Sequence, residues 1–433
     1  MADLLPSVVS LRPLKDEGIT ELASEKNARR VVVKEIEASF KKFGCVCVPV
    51  SDLDQSREGG ESGEALLHRC YTTAEGFFSL PEASKQAYTE DEAARRGYGG
   101  SCYTPLGKEP AYVEGEKQFV ESFSCTRPLD ESACSHLPRG HEFHNNLFPD
   151  SDVPGFGDAH SALWETLRDR VALPIINALE VMLCLPPGFL LLKSTEVDSL
   201  NMSLLRTLRY PARDAQHCPS AVFPETKRRR CLNTPKANPG LTEVGISEHT
   251  DFEVVTVMHQ ESPGLWLRSP GASWYQPPFR RDVLTVILGD MIELWTAGWL
   301  EATPHKVVSP VPGLEPRRSL VLFQAHDDLV RVHALRATQL NAPQQEASLR
   351  TDEDLQKTSN LPWLSRNTVR SCRKKNRKGK EVSDRELRQR SFMEWVLLRP
   401  EAVLKKHRPT TQGAWVKKNE FRAKATLLKS AFR

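Results

Sequence analysis

The sequence predicts an α+β protein with a small antiparallel β core, helices before it and a basic tail after it. Three observations carry this. Apolar residues recur at helical spacing up to about residue 185. Five short apolar or β-branched runs follow between 199 and 323, punctuated by Gly and Pro. Residues 366–433 then hold 21 Lys+Arg against 6 Asp+Glu. Counting strands leaves sandwich, barrel and jelly roll all open.

The first helix is predicted over 27–44, where Val32, Ile36, Phe40 and Phe43 share a face. It stops at Gly44 and leads into a strand from Cys45 to Val50. A second runs from about Gly63 to Leu80 with Leu66, Leu67, Ala74, Phe77 and Phe78, and residues 88–110 read as loop. A third runs from Asp158 to Leu185 through Leu163, Leu167, Val171 and Ile175, with a kink expected at Pro174. The five strands are placed at 199–210, 252–258, 283–288, 305–311 and 317–323. The connection 211–245 is polar, Pro-rich and carries Lys227-Arg228-Arg229-Arg230, as expected of a lid, a binding loop or a disordered segment. Ser383 and Glu386 form a capping box that opens a last helix with Phe392, Trp395 and Leu398.

A chain of 433 residues, 39% of them hydrophobic, can bury a sizeable core, which excludes a wholly disordered or collagen-like protein. No run of about 18 uncharged apolar residues exists, so no membrane helix is expected. The first residues, MADLLPSVVSLRPLKDEG, lack a basic stretch followed by an apolar one, so no secretory signal is expected. Ten cysteines without a CxxC pair read as reduced thiols of a cytoplasmic protein, with the nucleus as the alternative through the basic tail. The overall charge of +3 divides into +15 on residues 366–433 and −12 on the rest. Such a tail is most simply a solvated segment; nucleic-acid contact is the weaker reading, because only Phe392, Trp395, Trp415 and Phe421 interrupt the charges.

The chemistry is concentrated in Gly245-Ile-Ser-Glu-His249-Thr-Asp251-Phe252. On an extended chain, residues two apart face one side, so the His249 imidazole and Asp251 carboxylate point together. They make two-thirds of a facial triad, which holds Fe(II) and leaves positions open. His305, 54 residues after Asp251 at the start of an apolar run, is placed to be the third ligand. With 12 histidines about one His-x-Asp triplet arises by chance, and His326-Asp327-Asp328 is a second. Context separates them, because only the first is followed by a further His and an anion site. That site is Arg317-Arg318-Ser319-Leu320-Val321-Leu322-Phe323, whose alternation puts Arg317, Ser319, Val321 and Phe323 on one face. A guanidinium forks onto a carboxylate through two charge-assisted hydrogen bonds and a hydroxyl adds a third, which suits the far end of a dicarboxylate.

Together these residues resemble the isopenicillin N synthase-like branch of the 2-oxoglutarate/Fe(II)-dependent dioxygenases, over roughly residues 7–325. Leu288-Gly-Asp290 through Trp295 and Gly298, Gly264-Leu-Trp266, Trp274, Arg206 through Tyr210-Pro211, Phe77-Phe78-Ser-Leu-Pro and Asn146-Leu-Phe-Pro-Asp150 extend the resemblance. It implies a double-stranded β-helix (jelly-roll) core. It further implies an N-terminal mixed α/β region at 1–155, a catalytic domain at 156–345 and a partly disordered basic tail at 346–433. Residue by residue, His249, Asp251 and His305 would ligate Fe(II), and Arg317 and Ser319 would hold the far carboxylate of 2-oxoglutarate with Tyr210 assisting. Dioxygen would be the oxidant and ascorbate a stimulant. The implied reaction is hydroxylation, desaturation or demethylation of a small organic substrate by a monomer, releasing succinate and CO2. Two alternatives stay open: a 2-oxoglutarate-independent oxidase of this fold, and a non-catalytic scaffold that meets nucleic acid through the tail. The strand after Ser319 runs into Gln324-Ala-His326, without the proline-containing ending common in the family, and 211–245 is longer than usual.

Other conspicuous residues are assigned to structure. Asp290 reads as a turn cap, His259 as a strand-end histidine, Trp295 and Trp299 as core. Cys45 and Cys47 read as a buried strand pair on alternate faces, and His141 and His144 as surface.

Overall fold

The computed structural model describes residues 6–325 apart from 7, 15–22, 56–59, 99, 110–117, 128–145, 184, 186–189, 191–202, 212–240, 271–273, 278, 297 and 311–313. The basic tail, the Lys227–Arg230 run, His141, His144 and the His326–Asp328 triplet therefore lie outside the described residues.

Helix α1 (Ala23–Phe43) buries Val32, Ile36 and Phe40 and ends at Gly44, whose φ of 73° stops the helix without the penalty a Cβ would incur. Strand β1 (Cys45–Pro49) follows. Helix α2 (Gly63–Phe78) starts where the Ser62 hydroxyl accepts from the Ala65 amide. The region 88–110, expected to be loop, instead holds structure. After α3 (Glu82–Gln86) come α4 (Glu90–Arg95) and β2 (Ser101–Thr104), which hairpins with β3 (Glu121–Thr126). The four residues of β2 are too short to register as a period, and pairing supplies what the pattern lacks.

The third helix is interrupted one turn before its proline. Helix α5 (Phe156–Leu167) passes through a π turn (Arg168–Ala172) into α6 (Leu173–Met182). Pro174 has no N–H to offer the preceding turn and its ring crowds that turn's carbonyl, so the expected kink appears as a widened turn.

The strands are β4 (Leu204–Tyr210), β5 (Leu241–His249), β6 (Val255–Gln260), β7 (Leu265–Arg268), β8 (Trp274–Tyr275) and β9 (Val283–Leu288). Helix α7 (Asp290–Trp295), β10 (His305–Pro310) and β11 (Arg317–Gln324) complete the fold. Strand β5 begins inside the segment expected to be a loop up to 245. The strands build two facing sheets, β1-β9-β6-β11-β4-β3-β2 and β5-β10-β7-β8, a jelly roll. Strands β1, β2 and β3, all before residue 155, are continuous with the large sheet.

Alternation sorts side chains between two cores. Leu320 and Leu322 of β11 face outward into a large cluster with α2, α5 and α6, including Phe77, Phe156, Leu163 and Ile175. Val321 faces inward to a smaller cluster between the sheets, with Tyr210, Ile246, Met258, Leu265 and Val307. Trp295 is buried in the large cluster and Trp299 packs against it. Cys45 and Cys47 share one face of β1, contrary to the expectation of alternate faces, because residues two apart repeat the pleat. Their thiols interact with each other, and Cys45 Sγ lies 3.2 Å from the Tyr275 hydroxyl.

Candidate active site

The smaller core is thin because a cavity of about 660 Å³, including its open mouth, occupies the space between the sheets. All six residues singled out by the sequence line it: His249, Asp251, His305, Arg317, Ser319 and Tyr210.

Strand register makes the first group. In the antiparallel pair of β5 and β10, His305 sits directly opposite His249. The two imidazole centroids are 4.1 Å apart, and the Nε2 atoms each lie 3.7 Å from a different oxygen of Asp251. Their three ligand atoms lie within 4.8 Å of one another, all on buried side chains. Asp251 itself lies just past the end of β5, and its backbone carbonyl accepts from the Asp290 amide at 2.8 Å. Gly289 next to it has no room for a Cβ, which would stand 1.9 Å from the Glu253 carbonyl oxygen. The turn after β9 thus clamps the loop that carries Asp251. Asp290, expected as a turn cap, opens α7 there.

The surroundings prepare these atoms for a metal. His249 Nδ1 is 2.8 Å from the Ser247 carbonyl and His305 Nδ1 is 3.1 Å from the Thr303 carbonyl. A carbonyl only accepts, so in each neutral ring Nδ1 carries the proton and Nε2 presents its lone pair to Asp251's side. The Thr256 hydroxyl donates to Asp251 Oδ2 at 2.6 Å and fixes the carboxylate. Ser247 is in turn held by Gln118, which accepts from its amide and donates to its hydroxyl. Two imidazoles and one carboxylate with these second partners fit a facial Fe(II) site.

The second group is the candidate anion clamp. Arg317 is 2% exposed, yet no Asp or Glu lies within ion-pair distance of it among the described residues. Its guanidinium donates to Gln260 Oε1 (2.8 Å) and Ser319 Oγ (3.4 Å) and lies over the Tyr210 ring, 4.9 Å from the centroid. Burial lowers its pKa from the ordinary arginine value, and burial raises that of Tyr210 to about 12. A buried cation without a counter-ion is costly, and a bound carboxylate would supply the missing partner. Gly264 makes the clamp possible. It adopts φ 144°, and a Cβ there would stand 2.8 Å from Arg317 Nε. Gly245 similarly clears the Tyr210 ring. Gly264 is three residues from Leu267, the partner of His305, so about 10 Å of strand separates clamp from triad. That span fits a five-carbon dicarboxylate joining the two.

A model of the 2OG-Fe(II) oxygenase superfamily matches residues 225–326, and one for the N-terminal region of non-haem dioxygenases in morphine synthesis matches residues 9–151. The chain belongs to this family. Among relatives of this oxygenase, the 2-oxoglutarate-Fe(II) type oxidoreductase ppzD of Metarhizium majus is 29% identical over 279 residues, 61% of this chain and 71% of that protein. The 2-oxoglutarate-dependent dioxygenase frbA of a Dothideomycetidae species is 26% identical, covering 62% and 74%. The fold matches that of a full-length Neurospora crassa protein crystallised in complex with alpha-KG (TM-score 0.55, 16% identity, 83% of this chain and 97% of that one). It equally matches a 2OG-Fe(II) oxygenase family protein from Caulobacter crescentus (TM-score 0.55, 23% identity, 81% and 97%). The oxygenase is therefore an oxidoreductase that uses Fe(II) and 2-oxoglutarate.

Gln260, Thr256, Gln118, Gly264 and Gly289 support the site without having been singled out for it. Gly264 and Gly289 carried a sequence signal, as parts of Gly264-Leu-Trp266 and Leu288-Gly-Asp290. His259 closes β6 between the Tyr71 hydroxyl (2.9 Å) and the Arg281 carbonyl (2.8 Å), as a strand-end histidine should.

Proposed function

We propose that His249, Asp251 and His305 hold Fe(II), and that Arg317, Ser319 and Tyr210 hold the far carboxylate of 2-oxoglutarate, for oxidation of a small organic substrate. The observation that carries this is the buried Arg317 guanidinium, without a carboxylate partner among the described residues, in one cavity with a preformed His-Asp-His cluster. When bound, the metal and cosubstrate supply dioxygen activation coupled to release of succinate and CO2. This chain's residues do the rest. The Ser247 and Thr303 carbonyls keep each imidazole proton on Nδ1. Thr256 stops Asp251 from rotating. Gln260 and Ser319 aim the guanidinium, and the apolar walls of Leu208, Ile246, Leu265 and Val307 exclude water from the span between clamp and triad.

Residues 156–345 carry the site in this reading, and 1–155 complete its sheet. The protein acts as a cytoplasmic monomer, with the nucleus as the alternative should residues 366–433 direct import; imaging the full and truncated chains decides between them. No helix among the described residues is long and apolar enough to cross a membrane.

The test is anaerobic Fe(II) titration with and without 2-oxoglutarate, following the weak visible charge-transfer band. A band that needs both, and is lost in Arg317→Ala, is the expected result. Iron binding without the band would favour the 2-oxoglutarate-independent oxidase, and absence of iron binding would overturn the metal assignment.

A further inference from the structure

The cavity contains a second arginine, and the two differ in what balances them. Arg206, on β4, points inward beside Leu208 and Tyr210. It is opposite Val321 of β11, so it lies one strand over and four residues along from Arg317, about 13 Å of strand. Among the described residues Arg317 has no carboxylate partner, whereas Arg206 has two nitrogens close to the two oxygens of Glu109. The separations are 2.9 Å for Nη1–Oε1 and 3.1 Å for Nη2–Oε2. Both partners are buried, with side chains 7% and 1% exposed. Glu109 comes from the segment that follows β2 and reaches across the sheet to place one negative charge where the cavity holds one positive charge. Phe252 and Phe323 line the same cavity.

We propose that the Glu109–Arg206 pair is a specificity device that makes the substrate end of the cavity electrically neutral, so that the oxygenase selects an uncharged substrate. The inference rests on the Fe(II)/2-oxoglutarate reading of the same cavity. In that reading the charges of the metal and Arg317 offset those of Asp251 and a dicarboxylate, so that no charge remains among the described lining residues to compensate a charged substrate. A bare Arg206 would recruit anions to a low-dielectric site. Glu109 already lies against the guanidinium through one hydrogen bond and one ion-pair contact, so an anion there would meet the Glu109 carboxylate.

The test uses the full chain loaded anaerobically with Fe(II) and saturating 2-oxoglutarate, so that Arg317 is occupied. Binding of benzoate and benzamide, matched in shape and differing in charge, is measured by calorimetry. Wild type should show no preference for benzoate. Glu109→Gln, which keeps size and an acceptor while removing the charge, should shift the ratio toward benzoate by about tenfold or more, the scale of one charge-assisted hydrogen bond. The double variant Glu109→Gln/Arg206→Gln should lose that gain. The converse variant Arg206→Gln leaves Glu109 unmatched and should favour benzylamine over benzyl alcohol, an independent reading if Glu109→Gln does not fold. A wild-type preference for benzoate, an unchanged ratio or no benzoate binding in folded Glu109→Gln, or no gain for benzylamine in folded Arg206→Gln would overturn the proposal. The visible band separates this from the function itself. Its presence with any of those results removes only the neutral end, and its absence in wild type removes the Fe(II)/2-oxoglutarate reading.

Discussion

The binding role proposed for Arg317 rests on what its neighbours withhold. Gln260 and Ser319 give it neutral acceptors, Tyr210 a ring face, and no carboxylate approaches it among the described residues. Arg317→Ala should raise the 2-oxoglutarate concentration needed for half-saturation by about 2–4 kcal/mol, roughly 30- to 1000-fold, read from the visible band. Unchanged affinity would place the clamp elsewhere. Gly264→Ala tests the same contact from the backbone. Its φ of 144° and the 2.8 Å approach to Arg317 Nε mean that a methyl must strain the turn and push the guanidinium aside. About 1–3 kcal/mol of stability should be lost and 2-oxoglutarate affinity should fall about tenfold or more. A variant that melts and binds like wild type would show that the turn can yield.

At the scale of elements, α5 is docked on the large sheet through a polar contact inside an apolar core. His160 stacks on Phe156, contacts the Phe156 carbonyl through Nδ1 and meets the Thr207 hydroxyl of β4 through Nε2 at 3.0 Å. Burial lowers its pKa to about 4 from the ordinary 6.5. The unfolded chain therefore binds a proton between pH 6.5 and 4 that the folded chain refuses. This group's contribution is intact above pH 6.5 and declines as pH falls toward 4, by on the order of 3 kcal/mol in total. Thermal melting between about pH 7 and pH 4.5 should show a shallower acid slope in His160→Gln than in wild type. Parallel curves would mean that other groups carry the acid sensitivity. A second inter-element device is a chain of charges. Arg318 donates to Glu75 of α2 (2.7 Å) and Glu261 (2.6 Å), while Arg209 and Lys85 share Glu121 (2.8 and 3.0 Å). Arg318 and Arg209 are cross-strand partners, so this network fixes the ends of the central strands β11 and β4 beside Arg317.

Across the molecule, the two sheets are coupled through the site itself. The large sheet contributes Arg317, Ser319, Tyr210 and Thr256, whereas His249 and His305 come from the small one, and between them lies a cavity rather than packed side chains. Ligands that bridge the sheets should stabilise the fold by mass action, about 2.7 kcal/mol at roughly a hundred times the dissociation constant. Anaerobic melting should show an increase with Fe(II), a further increase with 2-oxoglutarate, and full reversal by a chelator. In Arg317→Ala only the second increment should vanish. A melting temperature indifferent to both ligands would show that the site does not bridge the sheets.

Strong local signals along the chain account for many of the regular elements and single out the candidate site residues. Helix α1, with its stop at Gly44, and strands β9, β10 and β11, expected at 283–288, 305–311 and 317–323, follow from short-range periodicity. His249-x-Asp251 and Arg317-x-Ser319 follow from alternation. The remainder depends on pairing between distant segments and emerges only on folding. The opposition of His305 to His249 is a matter of register between β5 and β10, which no local pattern encodes. The same holds for β2, too short to show a period, for β3, whose Glu121, Ser122 and Ser124 are buried along with its apolar residues, and for Gln118, Gln260 and Glu109, ordinary polar residues until the fold brings their partners within hydrogen-bonding reach. Gly264 and Gly289 are likewise explained only by the atoms that pass over them. Local chemistry is written along the chain; the absence of a carboxylate at Arg317 and its presence at Arg206 are properties of the space between two sheets.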